Sequence, residues 1–220
     1  MIKNRILQTF LGLALVVGLS ACDSDSTDDD PFTGDATLVQ DVPADPSTGR
    51  DPVTGQPVGT TGHFTLFSLR ENMIVTSGAS FSAADSSSTN WDIGFRGTTI
   101  IVNGGTSGPG QGGAIVREGI FEDLANAPES GYAVDSAGGY AVPVGSGNGW
   151  YNYNPAAMVL SPIPGRFLIV RTADGRYARV RLLSYYQGAP DPVDPFTALE
   201  RYYTFEYVFQ PDGSTKLSAD

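Results

Sequence analysis

Two alternating apolar runs, residues 166–172 and 176–186, are separated only by Ala173-Asp174-Gly175, and that spacing commits this part of the chain to a β-hairpin. Asp-Gly supplies the residue that accepts positive φ where a tight turn needs one. Residues 201–210 alternate too, which places Tyr203, Phe205, Tyr207 and Phe209 on one face of a strand, a face suited to a core. Shorter apolar runs at 64–69, 91–95, 98–102, 114–117, 139–144 and 149–153 read as further strands punctuated by Gly, Asn, Ser and Pro. Only residues 121–126 offer a short helical turn. The pattern predicts one all-β, antiparallel, sandwich-like domain over residues 61–220.

The start of the chain has a different character. Lys3 and Arg5 precede an apolar run at 6–19, and Leu19-Ser20-Ala21 leads into Cys22. The run falls short of the roughly 20 residues that a spanning helix needs, so residues 1–21 read as a cleavable signal peptide. Cys22 is the sole cysteine, so it has no partner for an internal disulfide. The Leu-Ser-Ala-Cys ending resembles the lipobox of bacterial lipoproteins, which implies that Cys22 is lipidated and becomes the new N-terminus. More than one acyl chain is needed for a stable anchor, and lipoproteins carry several. Residues 22–60 read as a lipidated, acidic Pro/Gly/Asp-rich linker: residues 23–59 hold nine acids and one base, Arg50. An Asp-Pro-x-Thr-Gly unit begins at Asp30, Asp45 and Asp51; each offers a single carboxylate, which suits turns better than a calcium site.

Charge narrows the partners. The chain carries −11, and loss of Lys3 and Arg5 with the leader takes it to −13; residues 60–220 hold 15 acids against ten bases. Nucleic-acid binding needs a basic footprint that this chain lacks, and adsorption to anionic lipid is equally disfavoured. One histidine, His63, and no cysteine in the domain leave Ser-His-Asp, Cys-His and His/Cys zinc chemistry without their parts. His63 reads as a surface residue. Gly108-Pro109-Gly110-Gln111-Gly112-Gly113 matches GxGxxG, but the strand-like Ala114-Ile115-Val116-Arg117 follows where a nucleotide site needs a helix N-terminus. No carboxylate pair stands out as an acid/base couple, so a binding protein is expected, not an enzyme. Arg171, Arg179 and Arg181 alternate with apolar residues and are expected on one outward strand face, either solvated or receiving an anionic group.

Several segments together resemble the HmuY-like family of haem-binding bacterial lipoproteins. They are Asn90-Trp91-Asp92-Ile93, the glycine-rich run from Asn103 to Ala114, Gly149-Trp150, Val170-Arg171-Thr172-Ala173-Asp174-Gly175 with Ala178-Arg179-Val180, and Tyr203-Thr204-Phe205-Glu206-Tyr207. The resemblance implies an all-β haemophore at the outer membrane or cell surface, serving iron acquisition. Such a protein binds haem through axial side chains and passes it to a TonB-dependent outer-membrane receptor. The family's histidine after the Gly-Trp stretch is missing here, where the chain reads Tyr151-Asn152-Tyr153-Asn154-Pro155. Bis-histidine ligation is therefore excluded by composition. The candidates for haem or a related tetrapyrrole are Met158, Tyr151 and Tyr153, since iron accepts thioether and phenolate ligands; Met158 is otherwise a core gap-filler. The alternative function is a surface interaction or assembly lipoprotein on the same scaffold, with the Tyr and Trp of 149–154 as its protein-binding patch.

Overall fold

The structure is a computed structural model and describes residues 32–218 apart from Gly55, so the leader and Cys22 lie outside the described residues. The expected hairpin forms from β11 (Arg166–Arg171) and β12 (Tyr177–Tyr186), with Leu168 opposite Val180. Gly175 takes φ 87° in its turn, and the Asp174 carboxylate accepts from the Thr172 hydroxyl at 2.6 Å. β8 (Gly113–Glu118) extends the hairpin beside β11, and β13 (Glu200–Gln210) beside β12. A strand from the stretch expected to be linker, β1 (Thr37–Pro43), completes a five-stranded antiparallel sheet in the order β1-β13-β12-β11-β8.

A second sheet of four strands runs β5-β4-β6-β7, from β4 (Thr65–Ser68), β5 (Met73–Thr76), β6 (Ile93–Arg96) and β7 (Thr99–Val102). The two sheets share one core. β13 contributes the alternating Tyr203, Phe205 and Tyr207, and the second sheet answers with Phe67 and Phe95. Phe67 meets Phe205 edge-on at 5.4 Å between ring centres, and Phe95 lies 4.6 Å from Tyr203, within the range where aromatic pairs attract. The sandwich read from alternation is therefore the one that forms.

Four expectations need correcting. The linker does not extend to residue 60. Val42 and Ala44 are buried, and β1 pairs with residues 202–207 of β13 through a register shift between Val39 and Val42. Residues 139–144 and 121–126 form turns and bridges instead of a strand and a helix, and the short helix lies at α1 (Ala83–Ser86). The arginine face is also not solvated. Ile115, Ile169, Arg179 and Val208 form one row across the sheet, and Phe121, Leu124, Ala127 and Leu217 roof it over. Arg179 is 5% exposed and donates to the carbonyls of Phe121, Glu122 and Leu124 at 2.9–3.0 Å. Arg181 pairs with Glu122 and Glu206, while Arg171 donates to the Gln111 carbonyl and lies over Tyr132. These cations tie the roof to the sheet.

Three of the segments that carry the family resemblance, those around Asp92, Asn103 and Ala173, meet at one end of the sandwich. Asp92 is buried and accepts backbone N–H bonds from Leu69 at 2.8 Å and Ala173 at 3.0 Å, joining the second sheet to the hairpin turn. Asn103 donates to the carbonyls of Ser88 and Trp91 and accepts from the Gly110 N–H. Asp135 accepts from Val102 and Ala141. The glycine-rich run threads between them. A Cβ on Gly104 would sit 2.1 Å from the Gly112 carbonyl oxygen, so the run is glycine because backbone meets backbone, not because it cradles a phosphate. Burial pushes the Asp92 carboxyl above the usual range while its two N–H bonds pull it down.

Removing that carboxylate strands two buried N–H groups at about 1–3 kcal/mol each, so Asp92→Ala is expected to destabilise by about 2–6 kcal/mol. Urea unfolding would read this as a lower midpoint with an unchanged slope, and an unchanged midpoint would refute it.

Candidate functional site

The opposite end of the sandwich, where β12 ends and β13 begins, is open. A cleft of about 650 Å³ lies there, in the size range of ligand sites. Three separate pieces of chain build it.

The first is a hairpin of β9 (Tyr151–Asn154) and β10 (Val159–Pro162), with Tyr151 opposite Pro162 and Tyr153 opposite Leu160. The Asn154 side-chain oxygen accepts the N–H groups of Ala156 and Ala157 and so shapes the turn, after which Met158 takes φ 55°. The Leu160 N–H donates to the Tyr186 hydroxyl at 2.9 Å, seating the hairpin on β12. Burial raises the Tyr186 phenol above its ordinary pKa, against the pull of that bond. Behind it stand Trp150, Tyr151, Tyr185 and Tyr203 as a buried aromatic base.

The second piece is the excursion between Asp45 and Thr61, which carries β2 (Gly49–Arg50) and β3 (Pro57–Val58). Asp45 clasps its base: the buried carboxylate accepts from the Thr61 N–H at 2.6 Å, the Thr61 hydroxyl at 2.8 Å and the Gly62 N–H at 2.9 Å. Burial pushes the Asp45 carboxyl up, but those bonds and the charge of Arg201 outweigh it and hold it below 3.8. Asp51 of the next unit accepts from Val53 and Thr54 and so serves a local turn, whereas the Asp45 carboxylate bonds residues far along the chain.

The third piece is the loop before β13, where Phe196 (82% exposed) and Leu199 (58%) reach the cleft rim. Arg50 of the second piece bonds Glu200 of the third at 2.8 Å.

Of the candidates from sequence, the cleft collects Tyr153 and Met158, 49% and 47% exposed. Met158 is thus no core gap-filler. Tyr151 is not on the cleft; it is buried, 5.0 Å from the Trp150 ring. The same burial removes Trp150 and Tyr151 from the proposed protein-binding patch, of which Tyr153 remains at the surface. His63 is exposed and lies elsewhere, stacked on Phe81 at 4.1 Å. Among the described residues no group of three or more His, Cys, Asp or Glu is placed to hold a metal ion. Sequence reasoning missed Arg50, Tyr186, Phe196, Leu199, Glu200 and Tyr202. An isolated Phe in a Pro- and Asp-rich loop was the one visible signal.

The HmuY protein family model matches residues 61–207. The chain belongs to the HmuY family. No curated protein matches it. Among solved structures it is similar to a Bacteroides vulgatus protein described as HmuY-like and haem-binding, at 15% identity and TM-score 0.47, covering 78% of this chain and 90% of that one. A Bacteroides fragilis protein described as a lipoprotein gives 17% and 0.44, over 78% and 89%. An apo HmuY analogue from Tannerella forsythia gives 15% and 0.39, over 80% and 95%. The HmuY match begins at residue 61, after β1 and the second wall of the cleft, so those parts of this chain lie outside it.

Because the Asp45 carboxyl is held below 3.8, its stabilisation is full above that pH and lost as acid carries the pH through its lower folded value. Asp45→Ala should therefore unfold at lower urea than the natural chain at neutral pH, with the gap narrowing as acid protonates the Asp45 carboxyl. A gap that does not change with pH would refute the clasp.

Proposed function

We propose that this HmuY-family chain is a non-enzymatic, lipid-anchored binding protein that captures haem or a related tetrapyrrole in the cleft and hands it to a TonB-dependent outer-membrane receptor. The observation that carries this reading is the meeting of Tyr153 and Met158 in one cleft, rimmed by Phe196 and Leu199. A large flat apolar ligand gains from covering such a rim at about 25 cal/mol per Å² of apolar surface, before the costs of binding. The Met158 thioether and the Tyr153 phenol are among the donors that the cleft offers to iron. The residues present fit a haem held mainly by apolar contact and one axial side chain. Lipidation at Cys22 would keep the domain at the outer membrane or cell surface, where a receptor is in reach.

Adding hemin to the purified chain tests this directly. A saturable Soret shift at micromolar hemin is the expected result, and Met158→Ala is expected to change that spectrum. No shift would refute haem capture and favour the reading of a surface interaction lipoprotein; a shift that Met158→Ala leaves untouched would remove Met158 as the ligand.

A further inference from the structure

Among the described residues that line the cleft, Arg50 is the one cation and Glu200 the one anion, and they are bonded to each other at 2.8 Å. Every other large side chain on that surface is aromatic or aliphatic. The pair joins two walls from distant parts of the chain, β2 and the start of β13. Their side chains are 58% and 30% exposed, so this is an open ion pair, of the kind that contributes little to stability and exchanges partners readily. A guanidinium also matches a carboxylate geometrically, whichever molecule supplies it. The domain carries more acids than bases, so an anionic ligand is not drawn in by overall charge and depends on a local cation.

We propose that Arg50 selects ligands with a carboxylate side group. A carboxylate of the ligand replaces Glu200 on the Arg50 guanidinium while the ligand's apolar body lies along Tyr153, Met158, Phe196 and Leu199. Glu200 then faces water at little cost, because it is already partly exposed. This deepens the tetrapyrrole reading and rests on it: natural tetrapyrroles carry carboxylate arms on an apolar ring. It also gives a role to the 47–50 wall, which lies outside the stretch matched by the HmuY family model.

Metal-free protoporphyrin IX and its dimethyl ester differ in those carboxylates alone and take iron ligation out of the measurement. Both are titrated into the purified chain in the same detergent and followed by quenching of protein fluorescence. The natural chain is expected to bind the diacid about 3–10-fold more tightly than the ester. Arg50→Gln should abolish that preference by weakening the diacid alone, Glu200→Gln should strengthen the diacid, and added salt should narrow the gap. Thermal melting confirms that both variants fold. If Arg50→Gln keeps the preference, or weakens acid and ester alike, the Arg50 proposal is overturned while tetrapyrrole capture stands. If the natural chain binds neither porphyrin nor hemin, both fall together.

Discussion

Buried loops must satisfy their own backbone, and in this protein a few polar side chains meet that demand at one end of the sandwich. Asp92, Asn103 and Asp135 reach into loops with no neighbouring strand and take the N–H groups or carbonyls that would otherwise be stranded. Each side chain bonds segments far apart in sequence, so the loops are fixed to one another and to both sheets. Glycine between them lets backbone approach backbone where a Cβ would collide. With one end closed in this way, the cleft opens at the other end, where β12 stops and β13 starts. The motifs that most resemble a known family therefore describe the scaffold, while the cleft is built from segments with much weaker signatures.

The local part of this architecture was legible in the sequence. A three-residue gap containing Asp-Gly specifies its hairpin without reference to the rest of the chain, and the aromatic alternation of β13 specifies which face meets the second sheet. The first strand was not legible. Thr37–Pro43 is short, acidic, ends in proline and is broken by a bulge at Asp41, and its partner lies at residues 202–207. Nothing within its own sequence distinguishes a strand that waits for so distant an edge from an acidic spacer. Residues 139–144 show the reverse error: Ala141 and Val142 are buried, but the Ala141 N–H bonds the Asp135 carboxylate instead of a neighbouring strand.

The arginines of the central hairpin show a different limit. Alternation told correctly that Arg179 lies on the face opposite the sandwich core, but the side of a strand is not the same as exposure to water. A second layer covers that face, formed by the roof around Phe121 and Leu124 and by Leu217 near the C-terminus. A buried guanidinium needs acceptors, and three carbonyls of one turn gather on Nη1 of Arg179, while its buried Nε has no hydrogen-bond partner among the described residues. Two sequence-distant segments have to come together before such a cation makes sense. Neither a solvated face nor an anion receiver describes it: Arg179 is a structural tie.

The two facing walls of the cleft are held in different ways. Tyr153 and Met158 sit on a hairpin whose base is fixed by Trp150, Tyr151 and the Tyr186 hydroxyl, so their position follows from the core. The facing wall has no such support. It leaves the sheet at Asp45, returns at Thr61, and touches the start of β13 through an exposed ion pair. A segment clasped at its base and meeting the rest of the domain through exposed contacts can change in sequence with little disturbance of the packed interior. One wall of the cleft thus lies in a stretch whose composition most resembles a spacer, and the Asp45 carboxylate is what makes that stretch part of the domain.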